Sequence, residues 1–145
     1  MNREMIYDAI FTRLQGVVGV QSVSRILRHW SDVPAEDQPA VFLAHGDEVV
    51  EQAESGASRH FLLPRVYVYA NARSSDVPPS TTLNNLIGAI EDVFAPIRAL
   101  RIHTDLGMPD ELEWVRVEGV IETDEGTLGE QAVAIVPLRV LVAED

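Results

Sequence analysis

The sequence predicts an α+β fold, a mostly antiparallel sheet of about four to five strands packed against two helices. Three observations carry this. Apolar residues recur at helical spacing in two stretches, one near the N-terminus and one after Pro79. Alternating or continuously apolar runs of strand length lie between and after them. The resulting order is helix, about three strands, helix, two strands, which lacks the regular strand–helix alternation of a parallel sheet. With 145 residues, 46% of them hydrophobic, the chain forms a single domain over 1–145, long enough for a two-layer core.

Residues 3–17 place Ile6, Ile10, Leu14 and Val17 on one face, and Gly16 and Gly19 stop the helix. Val20 to Trp30 alternates, with Val23, Arg25 and Leu27 opposite Ser22, Ser24 and Ile26, and reads as a strand. Ser31 to Pro39 is a polar loop between two prolines, in which Asp32 is suited to accept backbone bonds. Ala40 to His45 is a short apolar strand. Gly46 to Ser58, rich in Glu, Ser, Gly and Ala, is expected to be a mobile loop or strand connection. Phe61 to Ala72 is a longer strand, with Val66, Val68 and Ala70 opposing Tyr67 and Tyr69.

Pro78-Pro79 precedes a second helix with Ser80 or Thr81 as its N-cap, a broad stripe from Leu83 to Ile97, and Pro96 limiting its end. Arg98 to Asp110 is irregular. Glu111 to Glu122 alternates as a strand. Gln131 to Ala143 is apolar on both faces, the pattern of a strand covered on both sides or lying at a subunit interface.

Composition excludes several functions. There is no cysteine, which removes disulfides, thiolate nucleophiles and thiolate metal sites. All eleven basic residues are arginine, so a phosphate-loop lysine and Schiff-base chemistry are absent too. The net charge is −12, and Asp105 to Asp145 holds eleven acids against Arg116 and Arg139. Clamping onto DNA needs clustered cations, and the cluster Arg25, Arg28 and His29 is small. An acidic surface does suit DNA passing without sticking. No run is long and apolar enough to span a membrane, and the N-terminus has no signal-peptide h-region; a cytoplasmic location is expected.

The chemical candidates are weak. Glu122, Asp124 and Glu125 form an acidic turn with Gly126 and Gly129, but their spacing fits no calcium loop. His29, His45, His60 and His103 are scattered; His45-Gly46-Asp47-Glu48 offers mixed ligands without a zinc spacing. The serines lack a nucleophile-elbow context, and Glu91/Asp92 and Asp110/Glu111 are sequence neighbours, which do not face each other on a helix. No catalytic, cofactor-binding or metal residues are therefore assigned, no cofactor is expected, and the chain is not expected to be an enzyme. Trp30 and Trp114 read as core or edge aromatics, or as anchors at a protein interface.

Two segments carry a family resemblance. Arg28-His29-Trp30-Ser31-Asp32-Val33-Pro34, continuing through Gln38-Pro39-Ala40, resembles a segment of small proteins encoded among prophage tail genes. Val117 to Gly126 with Gly129 to Pro137 looks like the C-terminal part of the same group, and Pro79 to Asn84 opens a matching helix; Ala99 to Pro109 departs from the pattern. The group resembles the tail-terminator, or tail-completion, proteins of long-tailed phages. That resemblance implies an α+β subunit assembling with itself into a ring, commonly a hexamer. The ring caps the tail tube, joins it to the head–tail connector and has no enzymatic activity. The implied location is the virion tail, assembled in the host cytoplasm, with the tail-tube protein and the connector protein as partners. The alternatives are a connector or other neck protein, and a small acidic metal-binding protein using Glu122, Asp124 and Glu125.

Overall fold

The structure, a computed structural model, describes residues 1–71, 77–95 and 112–144. Helix α1 spans Arg3–Leu14. Asn2 caps it, its side-chain oxygen accepting from the Met5 N–H at 3.1 Å, and Ile6, Tyr7, Ile10 and Leu14 form the buried face. Helix α2 spans Pro79–Phe94 and buries Leu83, Leu86, Ile87, Ile90 and Phe94. Its first helical residue is Pro79, and Pro78 has no side chain able to cap it. Ser80 and Thr81, the expected caps, lie inside the first turn. The expected stop at Pro96 and the irregular stretch 98–110 lie outside the described residues.

The sheet is larger than the sequence predicts. Instead of four to five strands, the described residues form eight: β1 (Ser22–Ser24), β2 (Ala40–Ala44), β3 (Glu48–Gln52), β4 (Ser58–Leu62), β5 (Arg65–Asn71), β6 (Leu112–Val117), β7 (Glu122–Leu128) and β8 (Gln131–Glu144). Each extra strand has a physical origin. The polar stretch after Gly46 pairs as the hairpin β3–β4, from Glu48↔Leu62 to Gln52↔Ser58. Leu63-Pro64 divides the predicted strand from Phe61 into the end of β4 and all of β5. The acidic "turn" after Ile121 is itself strand β7. Conversely, the predicted strand Val20 to Trp30 contributes three paired residues, which run parallel to β2. The sheet is therefore mixed, although every other pairing is antiparallel.

Strand β8 organises the whole. Its first half pairs with β5, from Asn71↔Gln131 to Arg65↔Pro137, and with β7 on the other side. Its second half pairs with β4 and with β6. The changeover falls at Pro137, which has no N–H to give a ladder. There the Glu118 N–H donates to the Pro137 carbonyl at 3.2 Å, and the Leu138 N–H to the Pro64 carbonyl at 2.9 Å. Strands β4 and β5 follow one another along one edge of β8 in a single register, with β3 and β2 beyond them and β1 outside β2, and β6 and β7 share the other edge of β8.

Pleat alternation gives the sheet two faces. One packs on both helices: Ala132, Ala134, Val136, Leu138, Val140 and Val142 of β8 are fully buried with Val41, Leu43, Val66, Val68, Leu112 and Val115. The reverse face has a small core of its own, Val33, Ala40, Phe42 and Tyr69, flanked by Trp30, Tyr67 and Val133. The predicted polar loop covers that core as two 3-10 turns, Trp30–Asp32 and Ala35–Asp37. The side chain that orders the first turn is His29, not Asp32: its Nδ1 accepts from the Ser31 N–H at 3.2 Å. Gln38 donates to the Val33 carbonyl at 2.9 Å, and the Tyr69 hydroxyl to the Arg28 carbonyl at 2.7 Å.

One ion-pair network ties α1 to the hairpin. Arg3 donates twice to the Glu48 carboxylate, both at 2.9 Å, and Glu48 also meets His60 Nδ1 at 2.9 Å. The Arg3 guanidinium, with His60 adding to it, holds the Glu48 carboxyl below its ordinary range against the opposing effect of burial. A depressed carboxyl stabilises the fold fully above the ordinary carboxylate range, and this contribution is lost as pH falls through and below it. Glu48→Gln is expected to cost about 1 kcal/mol near neutral pH and much less near pH 3, as read by urea melts at both. An equal loss at both pH values would contradict this account.

Candidate functional site

The acidic segment is structural. Asp124 turns back on its own strand, accepting from the Thr127 N–H at 3.2 Å and from the Thr127 hydroxyl. Glu125 crosses to α2, where its Oε2 accepts from the Ser80 N–H at 2.7 Å. It supplies the carboxylate at the helix N-terminus that the Pro78-Pro79 entry cannot, where backbone donors and the helix dipole favour negative charge. Glu122 is exposed. Among the described residues no three His, Asp or Glu side chains gather in a way that holds a metal ion.

The histidines separate. His45 stacks on Tyr7, ring centroids 3.8 Å apart and planes within 3°, while His60 pairs with Glu48 and His29 orders its turn. Burial raises the Tyr7 hydroxyl above its ordinary pKa. Asp47 and Glu48 follow His45 but serve different partners: the Asp47 carbonyl accepts from the Leu63 N–H at 2.9 Å, and Glu48 holds Arg3. Arg25 is occupied by Glu4 and Asp8 of α1, so one of the three members of the expected basic cluster is neutralised. Glu91 and Asp92 are exposed on α2. His103, Asp110 and Glu111 lie outside the described residues.

What the fold does assemble is an apolar trough on the reverse face of the sheet. A concavity of ≈ 430 Å³ is lined by Leu27, Arg28, His29, Trp30, Tyr67, Tyr69, Val133 and Ile135. Further along β8 the same face carries two arginines stacked on aromatics. Arg116 lies 3.9 Å from the Trp114 ring centroid and Arg139 lies 4.6 Å from that of Phe61. Arg116 and Arg139 are cross-strand neighbours, a repulsive pairing that Glu118 relieves by meeting both, at 3.0 and 3.2 Å. Both tryptophans thus sit half-buried on this face, outside the main core. Exposed aliphatics border it: Ile26 is 78% and Val120 79% accessible.

This surface was only partly visible in the sequence. Its signals were the residues alternating with the core set, Tyr67 and Tyr69 in β5 and Val133 and Ile135 in β8. No periodicity showed that the segment 27–30 would fold over to make the opposite wall. The arrangement is suited to binding an apolar, oppositely charged protein surface.

No family model matches the chain, and no curated protein does. Among solved structures it is similar to a chain of the "Virion of native gene transfer agent (GTA) particle", with a TM-score of 0.59 and 12% sequence identity. The alignment covers 96% of this chain and 95% of that one. The two share a fold over essentially their full lengths. No described helix is long and apolar enough to cross a membrane.

Proposed function

We propose that the chain is a structural component of a phage-like virion, a tail-terminator subunit that forms a ring, as a hexamer, on the end of the tail tube and joins it to the head–tail connector. The observation that carries this reading is the full-length fold likeness to a chain of a gene transfer agent virion. The resemblance of the Arg28–Ala40 and Val117–Pro137 segments to tail-terminator proteins narrows it to the tail. The apolar trough supports self-assembly, since exposed contiguous apolar surface marks an interaction site. A net charge of −12 supports a channel that DNA traverses without adhering. The role requires no catalysis and no cofactor.

Purified protein is expected to form rings in negative-stain micrographs, and to shift from subunit to ring mass in light scattering as concentration rises. Added tail tubes are expected to acquire one ring at an end. Protein that stays monomeric at high concentration and leaves tubes bare would rule the reading out.

A further inference from the structure

We propose that copies of the chain join head to tail, the β3–β4 hairpin of one copy docking in the reverse-face trough of the next. The inference rests on the ring reading above and names its contact surface. Both halves of the contact are on the molecule. The donor is β3, the last strand at one edge of the sheet, which leaves a row of backbone donors and acceptors unpaired on its outer side. Its two valines are exposed, Val49 at 46% and Val50 at 53%. The acceptor is the apolar concavity walled by Trp30, Tyr67, Tyr69, Val133 and Ile135.

Charge selects this pairing. The hairpin carries Glu51 and Glu54, exposed and without an ion pair among the described residues, although Glu51 stands across from Arg59 in the ladder. The trough is rimmed by Arg28, and Arg65 lies just beyond it in the adjoining cleft with Val120, Ile135 and one acid, Glu122. Both are exposed arginines with no ion pair among the described residues. In a chain of net charge −12, two copies repel on average. Unpaired arginines on an apolar surface mark where that repulsion reverses, and the acidic hairpin is the complementary element.

Topology sets the symmetry. The trough lies along the first half of β8, beside β5 at Val133 and Ile135, while β3 pairs with β4 beside the far end of β8, where Ser58 faces Glu144. A surface that binds its complement on the far side of the same subunit forms a heterologous contact, which leaves each dimer with one free donor and one free acceptor. Such contacts continue until a ring closes. A two-fold dimer does not use them.

The test is a charge exchange in the full chain, read by sedimentation velocity and electron microscopy, with circular dichroism confirming that each variant is folded. Glu51→Arg with Glu54→Arg, and separately Arg28→Glu with Arg65→Glu, are expected to raise the concentration needed for rings by about tenfold or more. The quadruple variant, with the charges exchanged, is expected to recover most of that loss. Wild-type rings that neither double variant weakens would overturn this contact and leave the ring reading standing. Loss confined to one face, or a quadruple variant no better than the weaker double, would also overturn it, the first pointing to another virion protein as occupant. A wild type that forms no ring removes both.

Discussion

Gly46→Ala is expected to destabilise the fold by about 3 kcal/mol, a far larger effect than one methyl group ordinarily has. A Cβ at this position would lie 1.8 Å from the Leu63 carbonyl oxygen and 3.0 Å from its carbon. Both are backbone atoms, so no side-chain rotation relieves the overlap. The connection from β2 to β3 runs alongside the connection from β4 to β5, and only hydrogen fits between Gly46 and Leu63. Moving Leu63 disturbs its N–H bond to the Asp47 carbonyl and, one residue on, the Pro64 carbonyl that accepts from Leu138. At roughly 2–4 °C per kcal/mol for a chain of this size, the melting temperature should fall by about 10 °C. Gly88→Ala, inside α2 with nothing within 4 Å of the added atom, is the control and should stabilise by about 0.5–1 kcal/mol. A Gly46→Ala protein that melts with the wild type would refute the close approach.

Leu138→Ala should cost about 2–5 kcal/mol, by loss of apolar burial plus the cavity left behind. Leu138 is fully buried at the point where β8 leaves one set of neighbours for the other. Relaxation is restricted there, because its N–H is fixed to Pro64 and its register to Val117. Leu141, three residues on, faces the reverse side and is only half-buried. Leu141→Ala should therefore cost the isolated subunit about 1 kcal/mol. Guanidinium unfolding at low protein concentration measures both. Equal losses would mean that the two faces of β8 are equally packed in the subunit, and the open character of the reverse face would be wrong.

The helices and the apolar strands were legible because their signals are local. Ile6, Ile10 and Leu14 repeat at the helical period, and Gln131 to Ala143 is a nearly continuous apolar run of strand type, whatever they pack against. The dual apolar character of β8 was legible too: one side is the core, and the other is the half-buried reverse face. Strands β3 and β7 were not legible. Their residues, EVVEQ and ETDEGTL, are largely polar, and their pairing rests on backbone bonds that any side chain permits.

The sequence by itself determined the α+β class, both helices and the apolar character of both faces of β8, and it left no catalytic or metal-ligating set to assign. Only the tertiary structure decided how many strands there are, that Glu125 caps a helix entered 45 residues earlier, and that His29 to Trp30 closes over the sheet to form a trough. The physical reason is range. Periodicity records what each residue must bury, whereas caps, edge pairing and surface concavities arise from groups that meet only once the chain has folded.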